Sequence, residues 1–116
     1  MLLIIFIIIN ILLAYIDAHL ISGGIAIDHF NNALIYCMLL LIAFASGATL
    51  AQIIAIIIIR IPVFNTALNL FRGLPYDYVS KSPASIIDRI AQPVIYLIGY
   101  DNYNLLLILS SITIYQ

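Results

Sequence analysis

Asp17, His19, Asp28 and His29 are the residues of this chain whose types and spacing could do chemistry. Carboxylate oxygens and imidazole nitrogens are ligands for zinc or iron, and two Asp/His pairs flank the turn Ser22-Gly23-Gly24. Membrane di-iron oxygenases use many more histidines than the two found here. The pairs therefore read as the place where two apolar helices meet water or headgroups, and neither a metal nor another cofactor is expected. Asp88 beside Arg89 is the other acid–base neighbourhood, and it reads as a solvated pair. No serine–histidine–acid set, glycine-rich nucleotide loop or CxxC motif can be assembled, so an enzyme is not expected. The single cysteine, Cys37, lies in an apolar run and reads as a small buried thiol.

The elements that must carry these residues are apolar. Of 116 residues, 66% are hydrophobic and 8% charged. A soluble domain carries about 25% charged residues, so too few polar side chains exist here to cover a water-facing surface. Net charge is −1, which leaves no electrostatic footprint for nucleic acid. The longest uncharged run is Ala33 to Ile59. As one helix it would be about 40 Å long, more than the ~30 Å hydrocarbon core of a bilayer. It is expected as a central transmembrane helix over 31–60, ended by Arg60. A first transmembrane helix is expected over 2–21. A cleaved signal peptide would need a basic leader and a small-residue cleavage site, and no Lys or Arg precedes the apolar run.

Beyond the central helix, Ile61-Pro62 starts a new segment, because proline suits a helix's first turn. An amphipathic helix is expected over 62–72, with Asn65, Asn69 and Arg72 on its polar face and Gly73 as its stop. Ser82 and Pro83 open a second one over 83–98, with Asp88 and Arg89 off its apolar stripe and a kink at Pro93. A short apolar helix, expected over 103–115, closes the chain. The fold class is all-α: an integral membrane domain of two to three transmembrane helices plus interfacial amphipathic helices. All four basic residues, Arg60, Arg72, Lys81 and Arg89, fall at or after the end of the central helix. The positive-inside rule then places the 60–89 segment on the cytoplasmic face, the 17–32 turn on the opposite one, and the N-terminus on the cytoplasmic side.

Two sets of residues are expected to make contacts. Ala43, Gly47, Ala51 and Ala55 recur every four residues and would line one helix face. Small residues at that spacing let helices approach closely in lipid. Asn65, Asn69, Arg72, Asp88 and Arg89 would form a docking surface for a partner, carried by two amphipathic helices joined by a tight Gly-Pro turn.

Two patches resemble a family. One is Asp17-Ala18-x-x-Ile21 followed by Ile27-x-His29 and Ala33. The other is Phe64, then Leu68-Asn69-Leu70-x-Arg72-Gly73-x-Pro75, then Tyr78-Val79 and Asp88. Together they resemble small uncharacterised membrane proteins of phages and prophages of Bacteroidetes-like hosts. That pattern has a basic residue near position 36, where this chain has Tyr36. The resemblance implies a viral setting and brings no activity with it.

The reading that follows is a non-enzymatic membrane protein with a structural or anchoring role. It would sit in a viral internal membrane or the host cytoplasmic membrane and link the bilayer to membrane or capsid protein subunits, a second copy of itself included. A holin-like pore is the alternative of a different class. Its support is the small-residue face. Its difficulty is the uncharged C-terminus, Ser110 to Gln116. An accessory subunit of a larger membrane complex is a third reading.

Overall fold

A computed structural model describes residues 1–79 and 86–116, and these are all-helical. The helices are α1 (Leu2–Ser22), α2 (His29–Ala45), α3 (Leu50–Phe71), α4 (Ile86–Ile98) and α5 (Tyr100–Tyr115). Helix α1 runs without Gly or Pro until Ser22-Gly23-Gly24, where Gly24 takes φ 75°. The N–H groups of Gly24 and Ile25 close back on the carbonyls of Ile21 and Leu20. Asp28 then caps α2: its Oδ1 accepts from the N–H groups of Phe30 (3.0 Å) and Asn31 (3.2 Å).

The expected single helix over 31–60 is two helices. Gly47 adopts φ 103°, and the Ala48 N–H reaches back to the Ala43 carbonyl at 3.1 Å. This closes α2 in a glycine-dependent turn. Thr49 opens α3 with a capping box: its Oγ1 accepts from the Gln52 N–H (3.2 Å), and Gln52 Oε1 accepts from the Thr49 N–H (3.0 Å). An unbroken apolar run does not prevent a turn whose backbone groups are met locally.

The expected start of a new helix at Pro62 does not occur. Pro62 lies inside α3, buried, and the segment over 62–72 is the C-terminal half of that helix. Proline removes one N–H from the ladder. Here α3 is held between α1 and α5, and tertiary packing carries the helix through. Arg60 therefore lies mid-helix rather than at a helix end. The Ser82 cap and Pro83 lie outside the described residues; α4 is described from Ile86 and contains Pro93. Helix α5 begins earlier than expected, at Tyr100, directly after Gly99 at φ 88°.

The contacts fix the directions of the helices. Asn10 meets Arg60 and Tyr15 stacks edge-on against Phe71, so α1 and α3 run parallel. Ser111 meets Ala55 and Tyr100 meets Thr66, so α5 runs antiparallel to α3. Helix α2 returns antiparallel to α1, Asn32 meeting Asp17 and Tyr36 meeting Asn10. Met1, the 46–49 turn and Gln116 thus share one end. The 23–28 turn and the 72–79 loop share the other, where His19, Ser22, Phe71 and Arg72 line one cleft. This corrects the expectation that the 17–32 turn and the basic segment lie on opposite faces. Splitting the central span adds one reversal and brings them together.

The core is small: Phe6, Tyr36, Ala43 and Ile56, with Leu39, Leu40 and Ile53 packed against it. The outer surface is apolar, with Ile4, Ile8, Leu12, Leu41, Phe44 and Ile57 all exposed. Cys37, expected to be buried, lies on that outer surface too. It falls one residue past the inward Tyr36, and 100° of helix rotation turns it away.

Candidate functional site

A polar lane runs between α1, α2 and α3. Arg60 Nη1 donates to Asn10 Oδ1 at 2.6 Å. Asn10 Nδ2 donates to the Phe6 carbonyl (2.8 Å) and to the Tyr36 hydroxyl (3.4 Å). The Tyr36 hydroxyl in turn donates to the Ile56 carbonyl at 3.3 Å, one helical turn before Arg60. The guanidinium carbon lies 4.3 Å from the Tyr36 ring centroid and 4.5 Å from that of Phe64. Two aromatic faces and one amide oxygen thus hold the cation. Asn10 is fully buried, at 0% exposure. Further along α1, Asp17 is bound by Asn32 Nδ2 at 3.1 and 3.3 Å and acts on Arg60 through space.

Sequence reading missed this lane. Asn10 is one polar residue in an isoleucine-rich run, and Arg60 reads as a terminus while α3 is taken to stop there. The signal that could have found it is the pairing of those two polar residues, each near the centre of a helix. A charge taken out of water is costly and persists where a partner is built for it.

The expected packing face divides. Ala43, on α2, and Ala55, on α3, are buried, while Gly47 is the turn itself and Ala51 is exposed. A spacing of four defines a face only within one helix, and the break at Gly47 removes that condition. Ala55 nevertheless has a specific role: it is at 0% exposure, and its carbonyl accepts from the buried Ser111 Oγ at 2.8 Å. Ala55→Leu is expected to cost about 1–3 kcal/mol by overpacking the α3–α5 contact. Ala51→Leu is expected to stay within about 0.5 kcal/mol. Detergent-resistance melts of the two variants distinguish them.

Four of the five expected docking residues converge. Asn65, Asn69, Arg72 and Asp88 line a cavity of about 120 Å³ between α3 and α4, together with Tyr78 and Tyr100. Arg89 is exposed on α4 and does not line it. Asn69 is also not free to dock. It is buried, and its Nδ2 donates to the carbonyls of Tyr76 (3.0 Å) and Tyr78 (2.9 Å), tying the 73–79 loop to α3. Its place on a polar helix face concealed that internal use. Asn69→Leu is expected to cost about 1–3 kcal/mol by orphaning two carbonyls, and to speed proteolysis within 73–79.

Tyrosines gather at the same end. The Tyr76 hydroxyl donates to Asp101 Oδ2 at 3.2 Å, and its ring meets that of Tyr100 edge-on at 6.1 Å. The bond to the Asp101 carboxylate, and that carboxylate's charge, raise the Tyr76 phenol above its usual value of 10.0. A raised folded-state value means that the interaction supports the fold below the unfolded value and is lost as pH rises through the folded one. Asp101→Asn is expected to bring Tyr76 ionisation to lower pH. The tyrosinate absorbance, taken as a difference against Tyr76→Phe, reads this directly.

The two Asp/His pairs are drawn apart. Asp17 binds Asn32 and Asp28 caps α2. Among the described residues no three His, Cys, Asp or Glu side chains come together as a metal site. Comparison with protein families, curated proteins and solved structures finds no match to this chain.

Proposed function

We propose that this chain is a non-enzymatic integral membrane protein that anchors a protein partner to a bilayer, as a phage virion or phage-encoded membrane component. One observation carries the membrane part. Helices α1 and α3 are long and apolar enough to cross a membrane, yet only 28% of the apolar window of each is buried within the chain. The core helix of a soluble protein would be mostly covered. Here isoleucine and leucine side chains face outward along both helices, and lipid is the solvent that tolerates them. The shorter α2 and α5 pack alongside α3, and at about 25 Å each they cross with modest thinning of the bilayer. Tyr76, Tyr78 and Tyr96 are exposed, and Tyr76 and Tyr78 lie on the loop after α3, at headgroup level in this reading.

The anchoring part is supported by the α3–α4 cavity and by the exposed Arg72 and Arg89. A pore reading draws less support than the sequence lent it, because the small-residue face for self-association is interrupted at Gly47. Two measurements test the proposal. Alkaline carbonate should leave the chain in the membrane pellet; release into the supernatant would defeat the membrane reading. Gentle detergent extraction from the native source should recover it with capsid or other membrane subunits. Recovery as a homo-oligomer that dissipates membrane potential would defeat the anchor reading.

A further inference from the structure

We infer that Arg60 is a docking point for a second transmembrane protein whose helix carries a carboxylate at mid-membrane depth. This rests on the anchor reading and names the partner class. Arg60 stands ten residues from one end of α3 and eleven from the other, about 15 Å of helix each way. No headgroup phosphate lies within a side chain's reach of that depth. A guanidinium carries five N–H donors. Among the described residues its one hydrogen bond is Nη1 to Asn10. Among the described residues no fully buried side-chain nitrogen or oxygen is without a partner, so Nε and Nη2 each keep some exposure. The rings of Tyr36 and Phe64 lie against the cation and Nη1 is bonded, while Nε and Nη2 have no hydrogen-bond partner among the described residues. In hydrocarbon, open donors on a cation call for a charged acceptor, and a planar fork matches a carboxylate.

The chain cannot supply that acceptor to its own second copy. Asp17 is buried and held by Asn32. Asp28 and Asp77 lie on the turn and loop at the far end of the bundle, Asp101 in the first turn of α5 at that same end, and Asp88 on α4 beside Arg72 and Tyr78. A second copy would bring a like charge to the same depth.

The test uses the full chain in vesicles of zwitterionic lipid, with a polyleucine transmembrane peptide carrying one central aspartate as the probe. Association is read by energy transfer between labelled chain and labelled peptide. The aspartate peptide is expected to associate about tenfold more tightly than the same peptide with leucine at that position. Arg60→Leu should remove the difference, and Arg60→Lys should keep part of it. Equal association of the two peptides with the native chain would overturn the inference without reliance on any variant of the chain. So would a homo-oligomer that dissolves in Arg60→Leu, which would make the partner a second copy. Failure of the chain to stay in the vesicles after alkaline carbonate would instead defeat the membrane reading beneath it.

Discussion

Asn10→Leu is expected to destabilise the bundle by about 3 kcal/mol, and adding Arg60→Leu to the same chain is expected to return most of that loss. A hydrogen bond to a charged group contributes about 1.5–3 kcal/mol, and removing one partner of a buried charged contact leaves the other uncompensated. Leucine keeps the branched shape of asparagine and is somewhat larger, so no cavity confuses the result. What remains is a guanidinium between two rings with no acceptor, and a Tyr36 hydroxyl without its amide donor. Removing the charge as well converts the lane to an apolar contact. Arg60→Leu alone falls between the two: Asn10 loses its donor, but the cost of a cation at mid-span disappears. Denaturant titration in mild micelles gives all four corners of the cycle. Additive losses would show that the two side chains do not act as a unit.

The second large effect is topological. Both chain ends are expected on one side of the membrane, with residues 23–28 and 73–79 on the other. The 72–79 loop and nearby α4 carry Arg72 and Arg89, so the positive-inside rule makes theirs the cytoplasmic side. The termini are then external; for the N-terminus this is the reverse of what one unbroken central helix would require. Single cysteines placed at positions 2, 26, 76 and 115 in a Cys37→Ser background, labelled by an impermeant maleimide on intact cells, settle the matter. Labelling of position 26 without position 76 would put the two on opposite sides and remove the α2–α3 turn from the membrane-embedded structure.

What was legible in the sequence follows a physical division. Helix α1, the Gly23-Gly24 turn and the Gly73 stop were legible because each is a local signal: an uninterrupted apolar run, or a glycine at a position of positive φ. The turn at Gly47 was equally local. Thr49 and Gln52 stand at capping-box spacing directly after it, and hydropathy averaged over a long window hides such a pattern. The Pro62 error had the opposite origin. A local helix-start signal was overridden by packing against α1 and α5, which no reading of neighbours in sequence can see. The cluster between α3 and α4 was half visible. Asn65, Arg72 and Asp88 do line one cavity, but the loop carbonyls that occupy Asn69 come from residues seven and nine positions away.

The bond between Arg60 and Asn10 joins residues fifty positions apart. During synthesis at roughly 5–20 residues per second, the acceptor exists for about 3–10 s before its donor has been made. Over that interval the Asn10 amide nitrogen has the Phe6 carbonyl of its own helix, but its oxygen waits for a donor. The first helix must therefore stay within reach of the growing chain until α3 arrives. The order of assembly is written into the chain, which keeps its earliest helix waiting for a residue from its midpoint.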